Sequence, residues 1–429
     1  MTNQEPKKVL IVAYYWPPAG GPGVQRWLKF VKYLPEFNIK PILFVPDNPS
    51  YPIVDESLVK EIPKGMEIIR TPIREIYKLA SIISKNKSKI ISRGIIPKSS
   101  KQSSLEKLLL YVRGNYFIPD ARIAWVNPSV DYLTKYISKN KIDTIITTGP
   151  PHSMHLIGLN LKKKLSIKWI ADFRDPWTTI GYHKELKLTK NSQQKHLELE
   201  AEVLINADQI IVTSHHTKTE FESKTDRPIE VITNGYDEHE IETPKKDSKF
   251  TLAHIGSLLS DRNPKILWEV ISELIEEIEE FRKNFKLKLV GTVSEEIMSS
   301  IDEHGLKKYT EYYGYLEHDE ALVHQMSSRI LLLIEIDSEE TKAIIPGKFF
   351  EYLHSGTPIL AIGPNGSDIE TLIAETNSGR YFSYNSKDKI KNQLLRYFED
   401  YQANNLLAVN KNIEKYSRKN LTQKLSQLI

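Results

Sequence analysis

The segment Ile344-Ile345-Pro346-Gly347-Lys348-Phe349-Phe350-Glu351-Tyr352-Leu353-His354-Ser355-Gly356-Thr357-Pro358-Ile359-Leu360-Ala361 restricts the architecture around it more than any other stretch. The apolar run before it, Ile330 to Ile336, reads as a buried strand of a parallel sheet. A helix is expected to begin near Pro346-Gly347, since proline suits the first helical turn. Gly356 fits the residue after the last turn, Pro358 forbids continuation, and Ile359 to Ile362 reads as the next strand. Phe349, Phe350 and Leu353 are available to pack on the sheet. Lys348 and Glu351 then share one face near the helix N-terminus. Unpaired N–H groups, the helix dipole and a lysine together suit an anion, and the carboxylate one turn on can accept hydrogen bonds from sugar hydroxyls. The alternative is a surface Lys–Glu pair on an ordinary βαβ helix.

The same strand–loop–helix pattern opens the chain. Val9 to Ala13 reads as a first strand, Val24 to Leu34 as a helix closed by Pro35, and Pro41 to Val45 as a second strand. Between the first two lies Ala19-Gly20-Gly21-Pro22-Gly23-Val24-Gln25-Arg26, where glycines permit close backbone approach to an anion or simply a tight turn. After Gly21-x-Gly23 the third position of a dinucleotide fingerprint holds Arg26, yet Asp47 follows the second strand, so a nicotinamide-dependent oxidoreductase stays open. Two doubly wound α/β domains are expected for 429 residues, with Glu238 to Ser248 as the linker candidate. A net charge of +4 argues against nucleic acid as a partner, and the absence of cysteine excludes disulfides, thiolate metal sites and cysteine nucleophiles. Met1 to Lys8 is polar and Val9 to Ala13 too short for a signal-peptide core or a membrane span.

Chemistry-bearing residues gather where strands end. Asp143 to Thr148 reads as a strand leading into Gly149-Pro150-Pro151-His152-Ser153, and Trp169-Ile170-Ala171 runs into Asp172-Phe173-Arg174-Asp175-Pro176-Trp177. Ligands of open α/β sheets bind outside the carboxyl ends of strands, which places His152, Asp172, Arg174 and Asp175 at one edge. Internal pairing of Arg174 with Asp172 or Asp175 is the structural alternative. Phe117 to Trp125 suggests a weaker acceptor-side loop. A second sheet restarts at Phe250 to Ile255, with Gly256-Ser257-Leu258-Leu259-Ser260-Asp261-Arg262-Asn263-Pro264 as its loop and a long helix expected to Phe281. Lys85, Lys87, Lys89, Arg93, Lys98 and Lys101 alternate with Ile82, Ile83, Ile90, Ile91, Ile95 and Ile96, either a solvated face or a segment for an anionic membrane surface.

The wording P-G-K-F-F-E-Y-L-x-S-G-T-P-I-L-A, together with Val231-Ile232-Thr233-Asn234-Gly235-Tyr236-Asp237, resembles retaining family-4 glycosyltransferases. That resemblance implies an α/β GT-B fold: two Rossmann-like domains facing across a cleft, spanning 1–240 and 249–411, with 412–429 as a helix returning to the first domain. It implies transfer of a hexose from a nucleoside diphosphate sugar to an acceptor hydroxyl with retention of configuration, in the synthesis of a cell-surface polysaccharide or glycoconjugate. Glu351 matches the family's ribose-binding glutamate; Gly21, Gly23, Ser257, Arg262, Gly347 and Lys348 fall at donor-binding positions, and Tyr312 to Leu316 near the base. The alternative for Tyr315 is core packing. His152, Arg174 and Asp175 are the catalytic candidates.

The chain departs from the family pattern at Ala343, where a second acid is usual eight residues before Glu351, and at Ser257, where arginine is usual. No cofactor and no obligatory metal are expected. The partners expected are a nucleotide sugar and a glycan or lipid-linked acceptor, in the cytoplasm or peripherally on the inner face of the cell membrane. A nucleotide-sugar epimerase or hydrolase, and a non-catalytic nucleotide-sugar-binding protein, remain alternatives.

Overall fold

A computed structural model describes residues 5–74, 104–181, 183, 186–237 and 244–429. The chain divides into two compact units, 1–234 with 418–429, and 235–417. The basic–aliphatic residues from Ile82 to Lys101 lie outside the described residues, as do 238–243 of the expected linker. Lys246 and Asp247 at its end belong to the second unit, where Lys246 Nζ donates to Thr357 Oγ1 and Asp247 accepts from Lys288.

The first unit is built on a parallel sheet whose described strands are β1 (Lys7–Val12), β2 (Ile39–Pro46), β3 (Glu67–Thr71), β4 (Thr144–Gly149), β5 (Lys168–Phe173), β6 (Gln209–Val212) and β7 (Ile229–Val231). Their order is β3-β2-β1-β4-β5-β6-β7. Both faces are covered, so the period-two alternation of β1 divides between two cores. Val9 and Ile11 join one with Val24, Leu28 and Val31 of the helix Pro22–Tyr33, while Leu10 and Val12 join the other with Ile157 and Leu161. The C-terminal helix Arg418–Ser426 closes this unit by burying Leu421 and Leu425 against the first of these cores.

The second unit repeats the plan with β8 (Phe250–Ile255), β9 (Phe285–Val290), β10 (Thr310–Gly314), β11 (Ile330–Ile334), β12 (Ile359–Gly363) and β13 (Gly379–Ser383), in the order β10-β9-β8-β11-β12-β13. Each sheet reverses its direction of growth once, between β1 and β4 and between β8 and β11. Such a switch point opens a crevice at the carboxyl ends of the two strands, because their following loops leave in opposite directions. Two Rossmann-like domains are thus observed, as the repeated pattern predicts.

One local expectation fails, and one alternative is excluded. The helix from Lys265 stops at Glu277, because Ile278 is extended at φ −125°, and a short second helix covers Glu279–Asn284. Tertiary packing accounts for the break: it lets Phe281 stack on Phe285 with ring centroids 5.2 Å apart and meet Phe250 and Phe398. Tyr315 is 79% exposed and packs into no core. Among the described residues no helix is long and apolar enough to cross a membrane.

Candidate functional site

The switch point of the second unit carries the Lys348 segment. The helix Gly347–His354 begins after Pro346, has no side-chain cap, and buries Phe349, Phe350, Tyr352 and Leu353. Packing that face leaves Lys348 and Glu351 half-buried on the other side and the first-turn N–H groups uncapped. Gly356 follows the helix at φ +65°, a conformation glycine adopts without Cβ strain. Lys348 crosses to the loop after β8, where a Cβ on Gly256 (φ +104°) would meet its Nζ at 2.7 Å. Gly256 is therefore the seat of the lysine ammonium. Arg262 from the same loop lines a cavity with Lys348, Pro346, Thr341, Ile344 and Glu335.

Electrostatics at this end of the sheet are unbalanced. Burial pushes the Lys348 ammonium down to about 7, Arg262 adds to the effect, and Glu351 opposes it. The Arg262 guanidinium has no hydrogen bond or ion pair with a described residue, and its Nε is buried without a partner. The Glu351 carboxylate likewise receives none; only its backbone carbonyl is used, by Gln325 Nε2 at 3.0 Å. Behind Lys348 sits His254, 1% exposed. Its Nδ1 lies 3.0 Å from the Leu332 carbonyl, so Nδ1 carries the proton and Nε2, 3.4 Å from Lys348 Nζ, accepts. Burial, and then Lys348, hold this imidazole well below its usual pKa, so it is neutral. Ser257 is exposed and does not line the cavity.

His254 and Glu335 are members of this site that the sequence reading passes over, because both lie in runs read as strand core. The strand β11 ends at Ile334, and Glu335 stands at its carboxyl end. A polar residue near the end of an otherwise apolar parallel strand is the signal that marks them.

The first unit treats its charges differently. Asp172 is fully buried at the end of β5, and its Oδ1 accepts from Arg26 Nη2 at 2.9 Å. Its Oδ2 accepts from Trp27 Nε1 at 2.9 Å and Thr148 Oγ1 at 2.8 Å. Burial pushes this carboxyl up, but the charge and hydrogen bond of Arg26 outweigh it and hold the pKa below the usual value. Arg26 itself is 4% exposed and donates a further bond to the Thr233 carbonyl at 2.7 Å. The partner of Asp172 is therefore Arg26 and not Arg174, and Arg26 in place of a third glycine ties the helix Pro22–Tyr33 to the sheet.

Arg174 donates through Nε to the Gly149 carbonyl at 3.3 Å and through Nη2 to that of Pro150. A Cβ on Gly23 would overlap its guanidinium, so the space at Gly23 is filled by Arg174. That removes much of the support for a dinucleotide fingerprint. Gly21 sits at φ +107° with open space where a Cβ would point.

His152 is buried, stacked on Trp177 with centroids 4.7 Å apart and planes 4° from parallel. Neither ring nitrogen has a partner among the described residues, and burial, with His155 next, pushes its pKa well down. Asp175 is half-buried, receives no hydrogen bond from a described residue, and is raised by burial against the opposing charge of Arg174. Asp120 fixes this loop by accepting from Ser153 N and Ser153 Oγ at 2.9 Å each, capping the helix Ser153–Lys164. Arg122 lies over the Tyr14 ring, 4.5 Å from its centroid. Among the described residues no group of three or more His, Asp or Glu is placed to hold a metal ion.

Residues 92–240 match the sequence model of Glycosyltransferase Family 4. No curated protein sequence matches the chain. Among solved structures, a glycosyltransferase from Rickettsia africae is 14% identical and superposes over 99% of this chain and 98% of its own with a TM-score of 0.64. HepE of Anabaena, solved with UDP-glucose, is 12% identical over 98% of each chain with a TM-score of 0.57. WaaG, a glycosyltransferase of lipopolysaccharide biosynthesis, is 12% identical over 98% of this chain and 99% of its own with a TM-score of 0.54. The chain thus has the GT-B fold, and its residues 92–240 are similar to Glycosyltransferase Family 4.

Proposed function

We propose that this protein is a retaining hexosyltransferase that takes a sugar from a nucleoside diphosphate sugar and places it on a hydroxyl of a cell-surface glycan or lipid-linked acceptor. The observation that carries the donor half is the pair Arg262 and Lys348 beside the uncapped helix at Gly347, cations without a carboxylate ion-pair partner among the described residues. A diphosphate supplies the negative charge they lack, and a planar guanidinium can bind phosphate oxygens through two donors. Glu351, one turn further and unpaired, suits ribose hydroxyls. As the bond between the sugar's anomeric carbon and the phosphate oxygen breaks, its electron pair goes to the diphosphate. Donors fixed in place before the reaction stabilise that charge without reorganising. The acceptor oxygen bonds the anomeric carbon, and its proton passes to the departing phosphate oxygen on the same face. In the first unit His152 and Asp175 are assigned to holding the sugar or the acceptor hydroxyl, because both stand in the loops after β4 and β5 with polar atoms that have no partner among the described residues.

A neighbour of the same fold binds UDP-glucose, which supports a nucleotide sugar as ligand. The test is calorimetric titration of UDP, GDP, ADP and NAD into wild type and Glu351→Ala, followed by NMR of the anomeric product. One nucleoside diphosphate should bind, more weakly to the variant by about 1–3 kcal/mol. Binding of NAD alone overturns the reading, and product formed without acceptor makes the protein an epimerase or hydrolase.

A further inference from the structure

Glu335 is the buried acid of the donor cavity that folding alone does not explain. It is 5% exposed at the carboxyl end of β11 and forms no ion pair with a described residue. Hydroxyl groups hold it instead: Ser367 Oγ donates to Oε1 at 2.8 Å and Tyr381 OH to Oε2 at 2.7 Å. Tyr384 OH fixes its backbone carbonyl at 2.7 Å. Gly363 keeps the space clear, since a Cβ there would come within 2.5 Å of Oε2.

A carboxyl in this position is costly relative to an apolar residue of the same shape. Burial pushes it up to about 7, against the hydrogen bonds from Tyr381 and Ser367. The charged groups around it are Asp368 at the start of the helix Asp368–Thr376, Arg262 from the loop after β8, and Lys348 across the cavity. A carboxylate offers about four lone-pair sites. Ser367 and Tyr381 fill two and lock the group in place, which leaves the others for a ligand. A phosphate oxygen meeting that group is repelled, whereas a hydroxyl donates to it. An anion held by Arg262 and Lys348 therefore brings the ring attached to it, and not the phosphate, against Glu335.

We propose that Glu335 is a specificity-determining residue that accepts hydrogen bonds from the hydroxyls of the ring joined to the diphosphate. The inference rests on the donor reading of this cavity, and it supplies an acid in a cavity where position 343 is alanine. Two rings answer that description, the transferred sugar and the ribose.

The experiment titrates nucleoside diphosphate, its 2′-deoxy analogue and the corresponding glucose conjugate into wild type, Glu335→Gln and Tyr381→Phe, using the uridine, guanosine or adenosine series that wild type binds. If the ring is the sugar, Glu335→Gln weakens the conjugate at least tenfold and leaves the diphosphate within twofold. If it is the ribose, the diphosphate and the conjugate weaken together, and the deoxy analogue loses less. Equal affinity of Glu335→Gln and wild type for all three ligands overturns the inference while leaving the donor reading intact. Wild type that binds none of them overturns the donor reading itself. Should Glu335→Gln fail to fold, Tyr381→Phe decides: a loss of about threefold confined to one of these patterns supports the proposal, and unchanged binding overturns it.

Discussion

The two strand-end clusters are built from the same residue types and use them in opposite ways. In the first unit the buried Asp172 and Arg174 are satisfied internally, while His152 and Asp175 beside them are not: Asp172 is saturated by Arg26, Trp27 and Thr148, and Arg174 is spent on the carbonyls of Gly149 and Pro150. In the second, Arg262 and Lys348 face a cavity at a switch point with Glu351 one turn on, none of them in an ion pair with a described residue, and Glu335 is held by the hydroxyls of Ser367 and Tyr381. A charge that has found its counter-charge inside the protein holds the fold together. One left facing a cavity has its electrostatic requirement met from outside, which is why the second cluster reads as the place where an anion binds.

The contrast breaks first on stability. Asp172→Ala leaves Arg26 buried without its counter-ion and should destabilise the protein by about 3–5 kcal/mol in urea unfolding. Arg262→Ala should stay within about 0.5 kcal/mol of wild type, since no internal partner is lost. Comparable losses in the two variants would mean that the clusters do not differ in kind.

Binding gives the complementary result. Lys348→Met and Arg262→Ala should each weaken a nucleoside diphosphate by about 1.5–3 kcal/mol, as for hydrogen bonds to charged groups, while Arg174→Lys changes that affinity little in calorimetry. A smaller effect comes from Gly23→Ala, whose Cβ displaces the Arg174 guanidinium and should lower stability by about 1–3 kcal/mol with diphosphate affinity retained.

The pH dependence sharpens the comparison last. Lys348 is pushed down to about 7, so free protein loses this charge as pH rises through 7. Diphosphate prefers the protonated lysine, and affinity should fall between pH 6 and pH 8, by at most about tenfold per unit above the pKa. Lys348→Arg should flatten that profile. Stability follows the opposite sense for this group: from about 7 up to its unfolded value the unfolded chain binds the extra proton, so the lysine's penalty is relieved as pH rises. Glu335, raised to about 7, keeps its proton longer in the folded state, so stability falls as pH rises from the ordinary carboxylate range to 7. A minimum near 7 whose falling limb on the acid side is lost in Glu335→Gln is the expected outcome in thermal melts across pH.

Much of the architecture was legible in the chain. Continuous apolar runs bounded by Gly and Pro loops read as parallel strands covered on both faces, and their repetition before and after residue 235 points to two such sheets. The helix that carries Lys348 was equally legible, because Pro346 and Gly356 set its limits and the spacing of Lys348 and Glu351 set their shared face. Local chemistry determines these features, so local sequence reports them. What the sequence left open was which charge answers which. Arg26 reaches Asp172 across 146 residues, and Lys348 lies against His254 across 94. Pairings over such separations are set by how the sheet orders its strands, and Glu335 acquires its hydroxyl partners only because β12 and then β13 follow β11 in the sheet, which brings Ser367 of the loop after β12 and Tyr381 of β13 to the end of β11. Tertiary structure alone decided that Asp172 serves the fold and that Glu335 faces the cavity: an isolated carboxylate has the same chemistry in both places, and its partners give it different work.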